Sequence, residues 1–261
     1  VRNLADACVG VAPHSLRAVP PAALAEAVEL RPEGPVHIHI AEQEAEVGEI
    51  ESALGARPVR WLLDNMEVGG RWCLVHATHM TEAETSRLAA SGAVAGLCPV
   101  TEANLGDGIF NGVQYFGEGG VFGVGTDSNV RIGLTEELRL LEYGQRLRHR
   151  GRAVLCERNG SNGRALFGAV CAGGARALGR ECGHITPGAW ADLLTLDSAA
   201  PGLDGLSGDT ALDAWIFAAR EKVVRDVWSA GRHVVCEGRH VAREKIESRA
   251  RTVLRRLRES L

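Results

Sequence analysis

Short apolar runs that alternate with helical patterns constrain the fold of this 261-residue chain more than any other feature. Five such runs, rich in β-forming residues, begin at Cys8, Val36, Trp72, Ala93 and Val121. They are apolar almost throughout, as expected of parallel strands whose two faces are both covered. The alternation predicts βα units around a parallel sheet, and therefore an α/β fold.

Two amphipathic segments between the runs predict helices, Gln43 to Leu54 and Thr81 to Ala90. Thr81 is followed three residues later by Glu84, which is the capping-box signature of a helix start. Gly92 suits the position just beyond the helix end. Helical spacing returns after residue 127, over residues 135–148 and 164–178.

The last third of the chain has a different pattern. A Gly-, Ser- and Asp-rich connector reaches Asp209, and β-rich segments then flank Glu237 and Gly238, a pair that predicts a hairpin turn. These segments predict a small β module. An Arg-rich amphipathic helix is expected from Arg243 onward, with Leu254 and Leu257 packing inward and the charged face in solvent.

Composition excludes several classes of protein. A hydrophobic fraction of 45% and a net charge of −4 are typical of a globular protein rather than a nucleic-acid binder. No stretch approaches the roughly 18 apolar residues of a membrane span. We therefore expect a small-molecule partner and a cytoplasmic location. The seven cysteines contain no C-x-x-C pair, so any metal should be held by histidines and carboxylates.

Polar residues cluster where the predicted strands end. In parallel α/β folds the loops that leave these ends converge and build the active site. In order along the chain, the strand-end residues are His14, His39, Glu42, His76, Thr101 to Asn104 and Asp127.

These residue types suit metal-assisted hydrolysis. His39 and Asp127 are good ligands for a divalent ion such as zinc, and Asp127 could also accept a proton from bound water. Glu42 can act as a proton shuttle, and His76 could ligate the metal or polarise the water. A catalytic zinc usually has three protein ligands, so the inventory is incomplete.

Three other polar residues lie nearby. His37 lies deeper on the same strand face as His39, and we expect it to be structural. Glu102 and Asn104 could shape a pocket or form a turn with the neighbouring glycines, and both interpretations stay open.

Four stretches carry a resemblance to the amidohydrolase superfamily: "HIHIAEQ", "CLVHATHMT", "GLCPVTEANLGDGIF" and "GVGTDSN". "PHSLR" and "TEANLGDGIF" are similar, more narrowly, to formimidoylglutamate deiminases, which hydrolyse N-formimino-L-glutamate to N-formyl-L-glutamate and ammonia in histidine degradation. The resemblance covers nearly the whole chain. It implies about strands 4 to 8 of a (β/α)₈ TIM barrel over residues 1–183, a small β-sandwich-like module over 184–242 and a helix over 243–261.

The resemblance also assigns roles by position. It implies that His39 and Asp127 ligate one divalent metal ion, which we expect to be zinc, with iron or manganese as alternatives. Glu42 would protonate the imino nitrogen, His76 would assist the water and the tetrahedral intermediate, and Asp127 would double as general base.

His14 and Arg17 resemble the pair that contacts the substrate. The guanidinium fork of Arg17 suits a glutamate carboxylate. Two alternatives stay open: an amidohydrolase that acts on heterocyclic amines, of the purine or pyrimidine deaminase or chlorohydrolase type, and a non-catalytic remnant. An aromatic fraction of only 5% favours an acidic amino-acid derivative over a heterocycle.

One departure from the family affects every functional expectation. Family members open with a His-x-His on the first barrel strand, which supplies two further metal ligands, and no such pair precedes Cys8. We therefore expect the chain to be a C-terminal portion that is inactive alone. We expect the full-length protein to supply the remaining ligands and to form a homodimer.

Overall fold

A parallel sheet forms the first half of the molecule. The computed structural model describes residues 6–157, 159–219 and 223–260. Within them, neighbouring strands of this sheet pair in parallel in the order β1-β2-β3-β4. Its strands are β1 (Val36–Ile40), β2 (Trp72–His76), β3 (Val94–Leu97) and β4 (Val121–Val124). The predicted α/β class is confirmed.

The run that begins at Cys8 is not a regular strand, and this part of the prediction is wrong. It lies beside β1 through two isolated parallel bridges, Val11 to Val36 and Ser15 to His39. Pro13 explains the interruption, because it has no N–H to continue the ladder of hydrogen bonds. The described residues thus give an open sheet, and the predicted stretch of a closed barrel stays a prediction.

Helices connect and cover these strands. Pro21–Glu29 (α1) precedes β1, and the others lie between or after the strands as the alternation predicts. They are α2 (Glu44–Leu54), α3 (Pro58–Asn65), α4 (Glu82–Ser91), α5 (Pro99–Leu105), α6 (Gly112–Gly117), α7 (Leu134–His149) and α8 (Asn162–Ala177).

The predicted capping box opens α4. The Thr81 hydroxyl accepts from the Glu84 N–H at 3.2 Å, and the Glu84 carboxylate accepts from the Thr81 N–H at 2.9 Å. Gly92, at φ +77°, follows the end of the helix in the left-handed conformation that glycine adopts without strain.

The two faces of the parallel sheet are covered differently. One face contributes Ile38 and Leu74 to the main core, where both are almost fully buried. On the other face, the end of α8 packs Ala177 beside Cys73 and Val94. His37 also lies on this face and hydrogen-bonds to the Ala177 carbonyl at 2.7 Å, as expected of a structural histidine.

An antiparallel sheet forms the second half, in the order β5-β6-β7-β8. Glu237 and Gly238 connect β7 to β8 with φ values of +48° and +74°, which fits the predicted hairpin turn. The elements are β5 (Leu193–Leu196), α9 (Gly208–Phe217), β6 (Val224–Ser229), β7 (Arg232–Cys236), β8 (Arg239–His240) and α10 (Arg243–Glu259).

The two helices of this half differ from the sequence expectations. Helix α9 begins where the predicted connector ends, in a stretch for which no helix is predicted, and it buries Trp215 and Ile216. Helix α10 forms as predicted, but Leu254 and Leu257 are 48% and 55% exposed, so the inward packing expected of them is wrong. The described part of the chain buries no residue of α10. No helix among the described residues is both long and apolar enough to cross a membrane.

Candidate active site at the ends of the parallel strands

The backbone departs from strand geometry where the parallel strands end. Ala41, His76, Ala77 and Asp127 have φ values of +50°, +69°, +48° and +42°. Non-glycine residues rarely adopt the left-handed region, and such strain clusters at functional sites. The predicted site residues lie at or near these strand ends.

His39 is held by a backbone carbonyl. Its Nδ1 lies 2.9 Å from the His14 carbonyl oxygen, which can only accept, so Nδ1 carries the proton. The Nε2 atom of a neutral His39 is therefore the one with a lone pair for a metal. Ligating histidines are commonly oriented in this way.

Three imidazoles converge from different segments. The ring centroid of His39 lies 5.1 Å from that of His14 and 5.6 Å from that of His76. Strict alternation along β2 would place His76 on the face of Leu74, opposite to His39. The positive φ of His76 interrupts the alternation, and its ring lies beside that of His39 instead.

His76 is buried between two carboxylates. Its Nδ1 donates to Glu102 Oε1 at 3.2 Å, and its Nε2 lies 3.7 Å from Glu42 Oε1. Burial alone would lower the pKa of His76, but the bond to Glu102 and the charge of Glu42 outweigh burial and raise it. The negative charge of Asp127 acts in the same direction.

Glu42 has the properties of a proton shuttle. Burial raises its pKa, although the neighbouring His76 and His39 oppose this shift. The Glu46 carboxylate accepts the backbone N–H of Glu42 at 2.9 Å and that of Ala41 at 3.2 Å, which fixes the turn after β1. A carboxyl whose pKa is raised exchanges protons more readily near neutral pH.

Asp127 lies in the exposed loop after β4. Its neighbour Ser128 is tied to α5, since the Ser128 and Thr101 hydroxyls are 2.9 Å apart. The negative charge of Asp127 is near enough to His76 to help raise the pKa of that imidazole.

The two residues of the predicted substrate pair have different described partners. The exposed His14 joins the imidazole cluster, and its Nδ1 lies 2.9 Å from the Ser15 hydroxyl. Arg17 is 48% exposed and forms a long ion pair of 3.7 Å with Glu49 on α2. The structure thus brings His14, but not Arg17, into contact with the cluster.

Sequence reasoning left two buried acids of the site unassigned. The sequence pattern leaves Glu102 open between a pocket and a turn role, and it predicts no role for Asp107. Asp107 accepts from Gln43 Nε2 at 3.1 Å, and its carbonyl oxygen lies 2.7 Å from His79 Nε2. The recurrence of acids in "TEANLGDG", next to a strand end, was the available signal.

Two groups of potential metal ligands occur among the described residues. His76, Cys98 and Glu102 form a buried group, but burial raises the pKa of the Cys98 thiol and keeps it protonated, which makes it a poor ligand. A second group lies on the antiparallel sheet, where His233 and Asp226 form an ion pair of 2.8 Å near Cys236.

Comparison with known proteins identifies the family. The sequence profile of the Amidohydrolase family matches residues 2–234. The chain belongs to this family. The predicted resemblance is therefore confirmed at the family level.

Individual amidohydrolase relatives are also similar. Formimidoylglutamate deiminase of Pseudomonas aeruginosa is 50% identical over 239 residues, 91% of this chain and 53% of that protein. The crystal structure of an amidohydrolase from Brucella melitensis has 52% identity and a TM-score of 0.89 over 95% of this chain and 55% of that one.

A more distant solved structure carries a metal. An adenosine deaminase from Xanthomonas campestris with bound zinc is 27% identical, with a TM-score of 0.85 over 96% of this chain and 57% of that one. The chain therefore spans about half the length of the amidohydrolase relatives it matches.

Proposed function

We propose that the complete protein to which this chain corresponds hydrolyses N-formimino-L-glutamate to N-formyl-L-glutamate and ammonia. The observation that carries the proposal is the contact of Glu42 with His76 beside His39, in a chain 50% identical to a formimidoylglutamate deiminase. Hydrolysis of a C–N bond needs a proton donor close to a group that polarises the attacking water. In this cluster Glu42 can be the first and His76 the second.

The proposed architecture is a partial (β/α)₈ barrel, about strands 4 to 8. The sheet β1 to β4 and its helices would occupy residues 1–183, the antiparallel module 184–242 and the terminal helix 243–261. A closed barrel needs eight strands, so the complete protein would supply the others. Without them, we expect this chain alone to be inactive.

The donor set fits a divalent metal ion. His39, on β1, offers Nε2 because His14 engages Nδ1, and Asp127 offers an exposed carboxylate after the end of β4. An ion held by these residues would supply a Lewis acid that activates water. Zinc is the proposed metal, in line with the zinc of the Xanthomonas relative, and the remaining ligands would come from outside this chain.

The residues of the chain would divide the proton transfers. Water would add to the formimino carbon as Asp127 accepts its first proton, and the Glu42 carboxyl would deliver a proton to the imino nitrogen. As the C=O bond forms and the C–N bond breaks, the second proton of the water would pass through Asp127 and Glu42 to the same nitrogen, which leaves as ammonia. His76 is held with Nε2 toward Glu42, where it would stabilise the negative charge that develops on the attacking oxygen.

Substrate binding would use the exposed pair His14 and Arg17. An exposed ion pair such as Arg17 with Glu49 contributes at most about 1 kcal/mol, so a substrate carboxylate could replace Glu49 at little cost. We also propose a homodimer in the cytoplasm. The free state of all seven cysteines, which is typical of a reducing compartment, supports this location.

A second candidate function is deamination of a heterocyclic amine, which the likeness to the Xanthomonas adenosine deaminase favours. The two candidates differ in what the pocket must recognise: a carboxylate in the first case and a planar ring in the second. A non-catalytic remnant is the third alternative.

The decisive test measures ammonia release by the complete, zinc-loaded protein, with N-formimino-L-glutamate and adenosine as rival substrates. We expect turnover of the first only. Asp127→Ala should lower kcat by about 10³-fold or more and reduce the zinc content. Asp209→Ala, which removes an exposed aspartate of α9, is the matched control and should keep both.

Each other outcome assigns the protein elsewhere. Turnover of adenosine alone would replace the proposal with the heterocyclic alternative. Absence of turnover in a folded, zinc-loaded protein would favour the remnant.

A further inference from the structure

Helix α5 provides the buried partner of His76. Glu102, in the first turns of this helix, places one oxygen, Oε1, between two donors: the backbone N–H of Cys98 at 2.9 Å and Nδ1 of His76 at 3.2 Å. Glu102 and His76 are 5% and 1% exposed. A carboxylate that is buried and bonded on two sides has little freedom to rotate.

The Cys98 N–H fixes the carboxylate in turn. Cys98 is the N-cap residue of α5, and its N–H is among the helix-end donors that lack a partner within the helix. Glu102 satisfies this donor from within the same helix. The helix start therefore sets the position of the carboxylate, and the carboxylate sets the position of the ring.

The backbone of His76 needs such an anchor. Its φ of +69° is unfavourable for a residue with a Cβ, and it is what brings the ring beside His39 rather than to the opposite face. Strained conformations persist only where surrounding contacts over-determine them. The bond to Glu102 fixes the ring at Nδ1, and Nε2 then points toward Glu42.

We propose that Glu102 is the positioning residue of His76, holding the ring so that Nε2 faces Glu42 and the substrate. This inference rests on the proposed function and extends it to a residue that does not itself touch the substrate. It predicts that loss of Glu102 impairs the chemical step more than substrate binding.

A purely structural role is the rival explanation, and the chain offers a matched control for it. Glu137 on α7 accepts the Val100 N–H at 2.9 Å, so it too caps the start of α5. Glu137 is 1% exposed, and its described hydrogen bond does not involve His76. A variant at Glu137 therefore reports the cost of disturbing α5 without removing the anchor of the ring.

The experiment uses the complete, zinc-loaded protein and the variants Glu102→Leu, Glu102→Gln and Glu137→Leu. We expect Glu102→Leu to lower kcat by about 10- to 100-fold with KM nearly unchanged. Glu102→Gln, whose amide oxygen still accepts from Nδ1, should retain most of the wild-type kcat. Glu137→Leu should lower thermal stability but keep kcat within about threefold of the wild type.

A second readout does not depend on catalysis. With ¹⁵N-labelled histidine, the Nδ1–H resonance of His76 is assigned by its loss in His76→Gln. We expect it to disappear in Glu102→Leu and to shift in Glu102→Gln, because the bond then loses its ionic acceptor. The Gln variant keeps the test decisive if the Leu variant does not fold.

The inference fails if the resonance of Glu102→Gln is unchanged, or if Glu137→Leu loses as much kcat as Glu102→Leu. Failure of the proposed function looks different. A wild-type protein without turnover would remove that function, and the resonance would still decide whether Glu102 anchors His76.

Discussion

The parallel and antiparallel sheets are stabilised in different ways. In the parallel sheet, Val36, Leu74 and Leu97 are fully buried, and both faces are covered. In the antiparallel sheet, the described residues of β5 to β8 are all at least partly exposed. Leu194, in its first strand, is 36% exposed. The first sheet is buried on both faces, whereas the second is largely exposed and packs Leu196 and Val224 against a small apolar cluster that includes Trp215.

This difference explains where the candidate site lies. Apolar packing fixes the strand bodies of the parallel sheet, so polar groups placed at their ends are held on a rigid base. The histidine of the antiparallel sheet, His233, has a partly exposed carboxylate partner and stacks on Trp228. His233 therefore has a polar partner, but the strand that carries it is not buried.

The largest expected effect is in the core of the parallel sheet. Leu74→Ala should lower the free energy of unfolding by about 3 kcal/mol, because it leaves a cavity among buried side chains. Leu194→Ala should cost less than about 1 kcal/mol. Urea unfolding of the complete protein measures both. An equal loss at the two positions would break the comparison, since it would mean that something outside the described residues covers the antiparallel sheet.

The second prediction tests how closely α8 covers the parallel sheet. A Cβ at Gly173 would lie 1.8 Å from the Phe122 carbonyl oxygen, whereas a Cβ at Gly174 meets nothing within 4 Å. Gly173→Ala should therefore destabilise by about 2 kcal/mol, because the helix must move away from β4. Gly174→Ala should stabilise by up to about 1 kcal/mol through helix propensity.

Thermal unfolding of the two glycine variants, side by side, gives the answer. The substitution is the same and only the face of the helix differs. If both variants stabilise the protein, the close contact between α8 and β4 is absent in solution.

The smallest expected effect is on the pH dependence of stability, through the carboxylate of Glu84. Burial alone would raise the pKa of Glu84, but the Thr81 N–H and the Arg57 guanidinium outweigh burial and lower it from 4.5. A lowered carboxyl pKa stabilises the fold above the unfolded-state value, and this stability is lost as pH falls through the folded-state value. Glu84→Gln should therefore be less stable than the wild type at pH 7, and the difference should shrink as the pH falls through the lowered pKa of Glu84, below 4.5.

Asp226 supplies the comparison from the antiparallel sheet. Burial alone would raise the pKa of Asp226, but the hydrogen bonds from His233, the Glu237 backbone and Thr195 together outweigh burial and lower it. Its side chain is more exposed than that of Glu84, so solvent screens the interaction, and Asp226→Asn should change the pH profile less than Glu84→Gln. A larger change in the Asp226 variant would contradict the contrast between the buried parallel sheet and the largely exposed antiparallel sheet.

Local signals in the sequence predicted much of the fold. The capping box at Thr81, the hairpin at Glu237 and the apolar strand bodies depend on neighbouring residues, and they form as predicted. Contacts between distant segments were not predictable in this way. The burial of α9 depends on its packing against α8, and the exposure of Leu254 depends on the lack of a described partner for α10.

The same distinction holds at the candidate site. Strand-end position predicted that His14, His39 and His76 would lie near one another, and their rings do. Periodicity could not predict the side taken by His76, which depends on one positive φ. Nor could it predict that Arg17 would contact Glu49, because exposed long side chains adopt whichever partner is within reach.

The bond between His14 and His39 has an evolutionary consequence. The atom at position 14 that holds the proposed metal ligand is a main-chain oxygen, which every amino acid possesses. Replacement of the exposed side chain there leaves this hold on the imidazole in place. Selection can therefore change the side chain at position 14, the proposed substrate contact, without changing the orientation of His39, the proposed metal ligand.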